Sequence, residues 1–207
     1  MVSIQRFKAV IFDFDGVIID SERVQLQAWN AVMAELGVKG EMTLGQIAGK
    51  LDRHIAPEFL PGHEVVRCVQ RKNEIQTKLE ASCGVICIEE TLELVERMAG
   101  SHRLGICSSS GEGKIREVLR GRGVEGRFEV VVGQVAGEDC KPAPGPYLKV
   151  LRLMGLEAGE ACVIEDSPTG IAAAKGAGLF VIQLLHEGMT VNPGANAVVR
   201  SAKEVGS

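Results

Sequence analysis

Short continuous apolar runs alternate with amphipathic stretches along most of this chain. Lys8-Ala9-Val10-Ile11-Phe12 opens the pattern. It is apolar, β-branched and aromatic, and it predicts a buried parallel strand. Asp20 or Ser21 then offers an N-cap, and Val24, Ala28, Ala31, Val32 and Leu36 recur at helical spacing up to Gly37. Residues 43–60 are mixed and carry Gly45, Gly49 and Pro57, which predicts short helices joined by turns. Val65, Val66, Val69, Ile75 and Leu79 predict a further helix over about 63–82. The stretch from 18 to 83 offers no strand, so it reads as a helical insertion after the first strand.

Strand and helix signals alternate from there on. Helices over about 90–99, 112–121, 145–154 and 168–177 precede strands over 104–107, 128–132, 161–164 and 179–182 respectively. Ala197-Val198-Val199 adds a short last strand, and the final residues are expected to form a frayed helix. Such alternation predicts an α/β fold with a parallel sheet and helices on both faces. There is no internal repeat and no low-complexity tract.

Composition narrows the picture without redirecting it. A chain of 207 residues accommodates one α/β domain plus a modest insertion, and 45% hydrophobic residues support a real core. A net charge of −4 makes no electrostatic case for nucleic acid or an anionic membrane surface. No apolar stretch approaches the roughly 20 residues of a membrane span. The six cysteines form no CxxC pair and no Cys/His cluster, which argues against a zinc site. The N-terminal region lacks a signal-peptide pattern. A reducing cytoplasm is the expected setting.

Candidate chemistry collects just past the predicted strand ends, where open α/β sheets bind ligands. Asp13 and Asp15 follow the first strand, and residues i and i+2 of a strand share a face. Two anions that close call for a bound cation or a shared proton. The alternative is a pair of turn aspartates. Ser108-Ser109-Ser110-Gly111 follows strand 104–107 and opens a helix, so its hydroxyls and N–H groups form either a phosphate cradle or an ordinary N-cap. Lys141 sits in Lys141-Pro142-Ala143-Pro144-Gly145-Pro146. There the stiff backbone either readies the ammonium for an anion or carries a solvent-facing lysine. Glu165 and Asp166 follow strand 161–164, ahead of the N-cap candidate Ser167 and Pro168. Asp166 would complete a set of hard oxygen ligands with Asp13 and Asp15, the kind Mg²⁺ prefers; the alternative is acids in a helix-start turn. Taken together, these motifs make up an inventory suited to metal-assisted phosphoryl transfer.

With these motifs in place, the chain resembles the haloacid dehalogenase-like (HAD) hydrolase superfamily over essentially its whole length. Asp13-Phe14-Asp15-Gly16-Val17-Ile18-Ile19-Asp20-Ser21-Glu22 resembles the first motif, in the form found with a helical cap. Ser108 matches the second, Lys141 the third, and Glu165-Asp166-Ser167-Pro168-Thr169-Gly170 the fourth. The resemblance implies a Rossmann-like catalytic core over 1–17 and 83–207, with a helical cap over 18–82. The most similar branch contains β-phosphoglucomutase, phosphoglycolate phosphatase and sugar-phosphate phosphatases. It implies Asp13 as nucleophile, Asp15 as proton donor and acceptor, and Ser108, Ser109 and Lys141 as phosphoryl-binding groups. It also implies Mg²⁺ held by Asp13, Asp166 and the Asp15 carbonyl, with Glu165 in or near the shell.

Departures from the branch bear on substrate. Mutases and many capped relatives carry a histidine where this chain has Gln25. The mutases also place an arginine where this chain has Asp52, with Lys50 and Arg53 on either side. Lys50 and Arg53 are candidates for substrate contact from the cap, or else ordinary surface charges. The usual Pro-Gly entering the helix after the cap is replaced by Glu89-Glu90. The expectation is a Mg²⁺-dependent phosphatase of a small phosphorylated metabolite, such as a sugar phosphate, in which a monomer suffices. The alternatives are a hexose-phosphate mutase and a non-catalytic phospho-ligand binding protein.

Overall fold

The computed structural model describes residues 1–47, 52–59 and 64–206. The chain divides into two compact units. One comprises Met1–Ile19, Cys87–His186 and Thr190–Ser207, and the other Asp20–Ile86 and Glu187–Met189.

In the first unit, β1 (Val2–Ser3) precedes β2 (Ala9–Phe12), every residue of which is buried. Each fully buried side chain of this kind contributes about 1.5–3 kcal/mol relative to exposure. In the second unit, α1 (Ser21–Glu35) starts at Asp20, whose side chain accepts from the N–H of Arg23. The short helices α2 (Leu44–Ile47) and α3 (Asp52–Ile55) and the long α4 (Val65–Cys83) follow. Trp29 of α1 is fully buried among Val32, Met33, Met42, Ile47, Ile55, Ala56 and Cys68. Its indole N–H donates to Asp52 Oδ1 at 3.2 Å. The other oxygen of Asp52 accepts from Lys72 Nζ at 3.0 Å, and Lys72 is only 2% exposed. Asp52 therefore stabilises the interior of this helical unit.

The first unit resumes with α5 (Glu89–Met98), β3 (Arg103–Cys107), α6 (Glu112–Gly121) and β4 (Val130–Val132). There follow α7 (Gly145–Met154), β5 (Ala161–Glu165), α8 (Pro168–Gly176), β6 (Phe180–Leu184), β7 (Ala197–Val199) and β8 (Val205–Gly206). The strand order is β4-β3-β2-β5-β6-β7, and all pairs are parallel. From central β2 the chain steps outward to β3 and β4, then crosses to β5 and steps outward the other way. The direction reverses between β2 and β5, the position at which sheets of this kind open a ligand crevice. Ala9 and Ile11 face a core completed by Tyr147, Val150, Ile171 and Ala174 from α7 and α8. Phe12 points to the opposite face, where it meets Phe128 edge to face at 6.0 Å.

Two expectations need correction. The strand expected over 128–132 is only Val130–Val132, because a tight turn over Glu125–Arg127 runs up to Phe128. The C-terminal residues do not form a frayed helix. A single turn at Ala202–Glu204, capped by Ser201, leads into β8, which pairs in parallel with β1. Among the described residues, no helix is long and apolar enough to cross a membrane.

Candidate active site

Register alone levels the key residues. Phe12 pairs with Ile106 on one side and Ile164 on the other. The next residues, Asp13, Cys107 and Glu165, therefore share one row at the carboxyl edge of the sheet. β2 ends at Phe12, and the chain turns at once. The Phe14 carbonyl accepts from the N–H of Ile18 at 2.9 Å, and Gly16 N–H donates to the Ile19 carbonyl at 2.8 Å. Gly16 has φ +81°, and a Cβ there would lie 2.0 Å from Asp166 Oδ2. Glycine thus lets the first acidic loop approach the fourth motif closely.

Lys141 binds this row together. Its Nζ donates to Asp13 Oδ1 at 2.7 Å, to Glu165 Oε1 at 2.7 Å and to the Cys107 carbonyl at 3.0 Å. Three N–H donors thus meet three acceptors. Burial opposes the charge on Lys141, but the carboxylates of Asp13 and Glu165 outweigh it and hold its pKa well above the ordinary value. Burial pushes the Asp13 carboxyl up to about 8, against the pull of Lys141 and with the charges of Glu165 and Asp15 adding to the rise.

Glu165 is fully buried. Beyond Lys141, it accepts from Tyr147 OH at 3.3 Å, and from the Ser167 N–H at 2.8 Å and hydroxyl at 3.0 Å. Ser167 Oγ in turn accepts from Gly170 N–H at 3.0 Å, which caps α8. A Cβ on Gly170 would fall 1.4 Å from Glu165 Oε1, so the motif's glycine is what admits the buried acid.

Asp15 turns to the loop after β3. Its Oδ2 accepts from Ser110 Oγ at 2.7 Å and from Ser108 Oγ at 3.2 Å. Ser110 N–H donates to Ser108 Oγ at 2.9 Å. Ser109 is exposed. His186, just past β6, donates from Nε2 to the Gly16 carbonyl and lies 4.0 Å from Asp166 Oδ2.

Asp13, Glu165 and Asp166 each offer a carboxylate oxygen, and these oxygens all lie within 4.8 Å of one another. A divalent cation fits such a set of hard oxygen donors, with one lysine offsetting three acids. Of the remaining expected residues, Lys50 lies outside the described residues, and Arg53 falls in α3 of the helical unit. Reading the chain alone did not single out Ser110, Tyr147 or His186.

A buried lysine between two acids, paired hydroxyls and a carboxylate cluster meet at the reversal point of the parallel sheet. The chain belongs to the haloacid dehalogenase-like hydrolase family, whose model matches residues 10–184. Protein CbbY (plasmid) of Cupriavidus necator is 31% identical over 192 residues, covering 83% of this chain and 76% of that protein. The phosphoglycolate phosphatase of Rhodospirillum rubrum is 29% identical, covering 86% and 80%. Among solved structures, CbbY from Rhodobacter sphaeroides in complex with xylulose-(1,5)bisphosphate superposes with a TM-score of 0.71. It is 23% identical and covers 96% of each chain. Hydrolases of this family generally use Mg²⁺.

Proposed function

We propose that this protein is a Mg²⁺-dependent phosphatase that hydrolyses a small phosphorylated metabolite, a sugar phosphate or similar phosphomonoester, through an aspartyl-phosphate on Asp13. The observation that carries this reading is the bridge from Lys141 to both Asp13 and Glu165 at the sheet's reversal point. The named phosphatases among the relatives support it.

In this reading, the Asp13 carboxylate attacks phosphorus as the ester oxygen departs. Asp15 gives that oxygen a proton. It then takes one from the water that opens the aspartyl-phosphate, which returns both acids to their starting states and releases phosphate. Ser108 and Lys141 hold phosphoryl oxygens, with the exposed Ser109 at the mouth of the same loop. Asp13, Asp166 and the Asp15 carbonyl would hold the cation. Both oxygens of Glu165 are already engaged, so it contributes chiefly by fixing Lys141. When bound, the cation supplies the positive charge that clustered carboxylates and a phosphoryl group require.

We read residues 18–82 as the cap that the family resemblance implies, with Lys50 and Arg53 as its candidate substrate contacts. Asp52 favours a phosphatase over a mutase. It presents an acid where the mutases place an arginine, and it is committed to Lys72 and Trp29. The setting we infer is cytoplasmic, without nucleic acid or membrane. All the groups named come from one chain, so a monomer suffices.

The purified protein with Mg²⁺ should release phosphate from an aryl phosphate, and Asp13→Asn should abolish release. Undiminished activity in Asp13→Asn refutes the mechanism. Conversion of one hexose monophosphate into another without net phosphate release would favour the mutase.

A further inference from the structure

Two serine hydroxyls converge on one oxygen of Asp15, and their proton count is uneven. Ser110 Oγ lies 2.7 Å from Asp15 Oδ2, and Ser108 Oγ lies 3.2 Å from the same oxygen. Ser108 Oγ also accepts from the Ser110 N–H at 2.9 Å. A hydroxyl carries a single proton. Ser108 therefore cannot donate to Asp15 and to a phosphoryl oxygen at the same time. Once Ser108 turns its proton to the phosphoryl group, Ser110 is the hydroxyl that remains on the carboxyl.

We propose that Ser110 is a positioning residue that holds Asp15 for proton transfer while Ser108 serves the phosphoryl group. This rests on the phosphatase reading above, in which Asp15 is the acid and base. Both hydroxyl bonds fall on Oδ2, so Oδ1 is the oxygen left to carry the transferred proton. The local geometry suits the task. Ser108 is buried and Ser110 half-buried, and both sit on the bend between β3 and α6, which turns the two hydroxyls toward the same carboxyl. The N–H of Ser110 also fixes Ser108 Oγ, so one residue orients both partners. In the first step the proton leaves Oδ1 for the departing ester oxygen as the bond from that oxygen to phosphorus breaks. In the second step Oδ1 recovers a proton from water as the water oxygen bonds to phosphorus and the bond to Asp13 breaks.

The test uses two leaving groups. An alkoxide needs the proton as it departs, whereas a nitrophenolate leaves without it. Leaving-group release is measured before steady state, with Mg²⁺, on a sugar phosphate and on p-nitrophenyl phosphate. Ser110→Ala should slow release from the sugar phosphate by about tenfold or more, but release from nitrophenyl phosphate by less than about threefold, as expected for a weakened general acid. KM should stay within about threefold for both substrates, because the Ser110 hydroxyl bonds Asp15 and not the substrate. Ser110→Thr, which keeps the hydroxyl, should restore the alkyl reaction. Asp15→Ala should show the same discrimination, more strongly. Equal losses on both substrates in Ser110→Ala, or a loss confined to KM, overturn the proposal while discrimination by Asp15→Ala leaves the phosphatase reading standing. If Asp15→Ala itself does not discriminate, the acid assignment falls and the proposal with it.

Discussion

Asp52→Ala should destabilise the helical unit far more than an exposed acid would. The substitution removes the partner of an ammonium that is only 2% exposed. It also takes the acceptor from the Trp29 indole N–H, which donates at 3.2 Å. Breaking a buried pair by removing one member costs about 3–5 kcal/mol, since the remaining charge is stranded. An orphaned N–H adds about 1–3 kcal/mol. The Asp52 side chain is 23% exposed, so water can enter the vacated space and solvate part of both groups. That places the expected loss near the lower bound of the two together, about 4 kcal/mol. The assay is urea unfolding followed by tryptophan fluorescence. The chain has a single tryptophan, and it touches the pair. The companion variant is Asp52→Leu with Lys72→Met, in which neither charge remains. Its stability should lie above that of Asp52→Ala and about 1–3 kcal/mol below the parent, because apolar groups replace the ion pair at little net cost while the Trp29 indole N–H still loses its acceptor. A single variant within about 1 kcal/mol of the parent, or a double variant as unstable as the single, would show that the pair is not desolvated as described.

The remaining predictions concern the catalytic unit. Gly170→Ala should lower stability by about 1–3 kcal/mol, as overpacking does, and should cut kcat, because the Glu165 carboxylate that the new Cβ overlaps must shift and Lys141 loses its anchor with it; thermal unfolding and phosphate release check both effects. Tyr147→Phe should cost no more than about 1.5 kcal/mol and should leave phosphate release nearly intact, since Lys141 and Ser167 still hold Glu165. In the metal-free protein Asp13 titrates at about 8, raised by burial, so a proton occupies it increasingly as pH falls below that value. A cation must displace that proton. Apparent Mg²⁺ affinity should therefore weaken by up to about tenfold per pH unit from pH 8 downward, with proton uptake by the buffer. Calorimetry in two buffers of different ionisation enthalpy detects that proton, and an affinity flat between pH 6 and 8 would refute the displacement.

Most of the sheet was legible because its central strands are buried on both faces and read as unbroken apolar runs, as in Ala9–Phe12 and, within β5, residues 161–164. The pairing of Val2–Ser3 with Val205–Gly206 was not legible. Two-residue strands carry no period, and each finds its partner at the other end of the chain. Asp13, Ser108, Lys141 and Asp166 stood out because each follows a strand. Tyr147 did not, because on an amphipathic helix it reads as core, and its hydroxyl acquires meaning only through Glu165, which the fold brings beside it. Ser110 was hidden among three consecutive serines. Past the end of β3 the chain bends, so no strand period distinguishes the three, and only the fold brings the Ser110 hydroxyl to Asp15.

The central place of β2 also bears on how the protein is made. Its sheet neighbours β3 and β5 lie roughly 90 and 150 residues further along the chain. At ribosomal rates of about 5–20 residues per second, Ala9–Phe12 waits roughly 5–20 seconds for its first partner and longer for its second. During that interval a strand with high β-propensity and no charge is available to chaperones or to other nascent chains. The helical residues in between are complete first and can fold on local contacts while the strand waits. Slower synthesis of the stretch between Asp20 and Ile86 would lengthen this exposure, and the yield of soluble protein should track it.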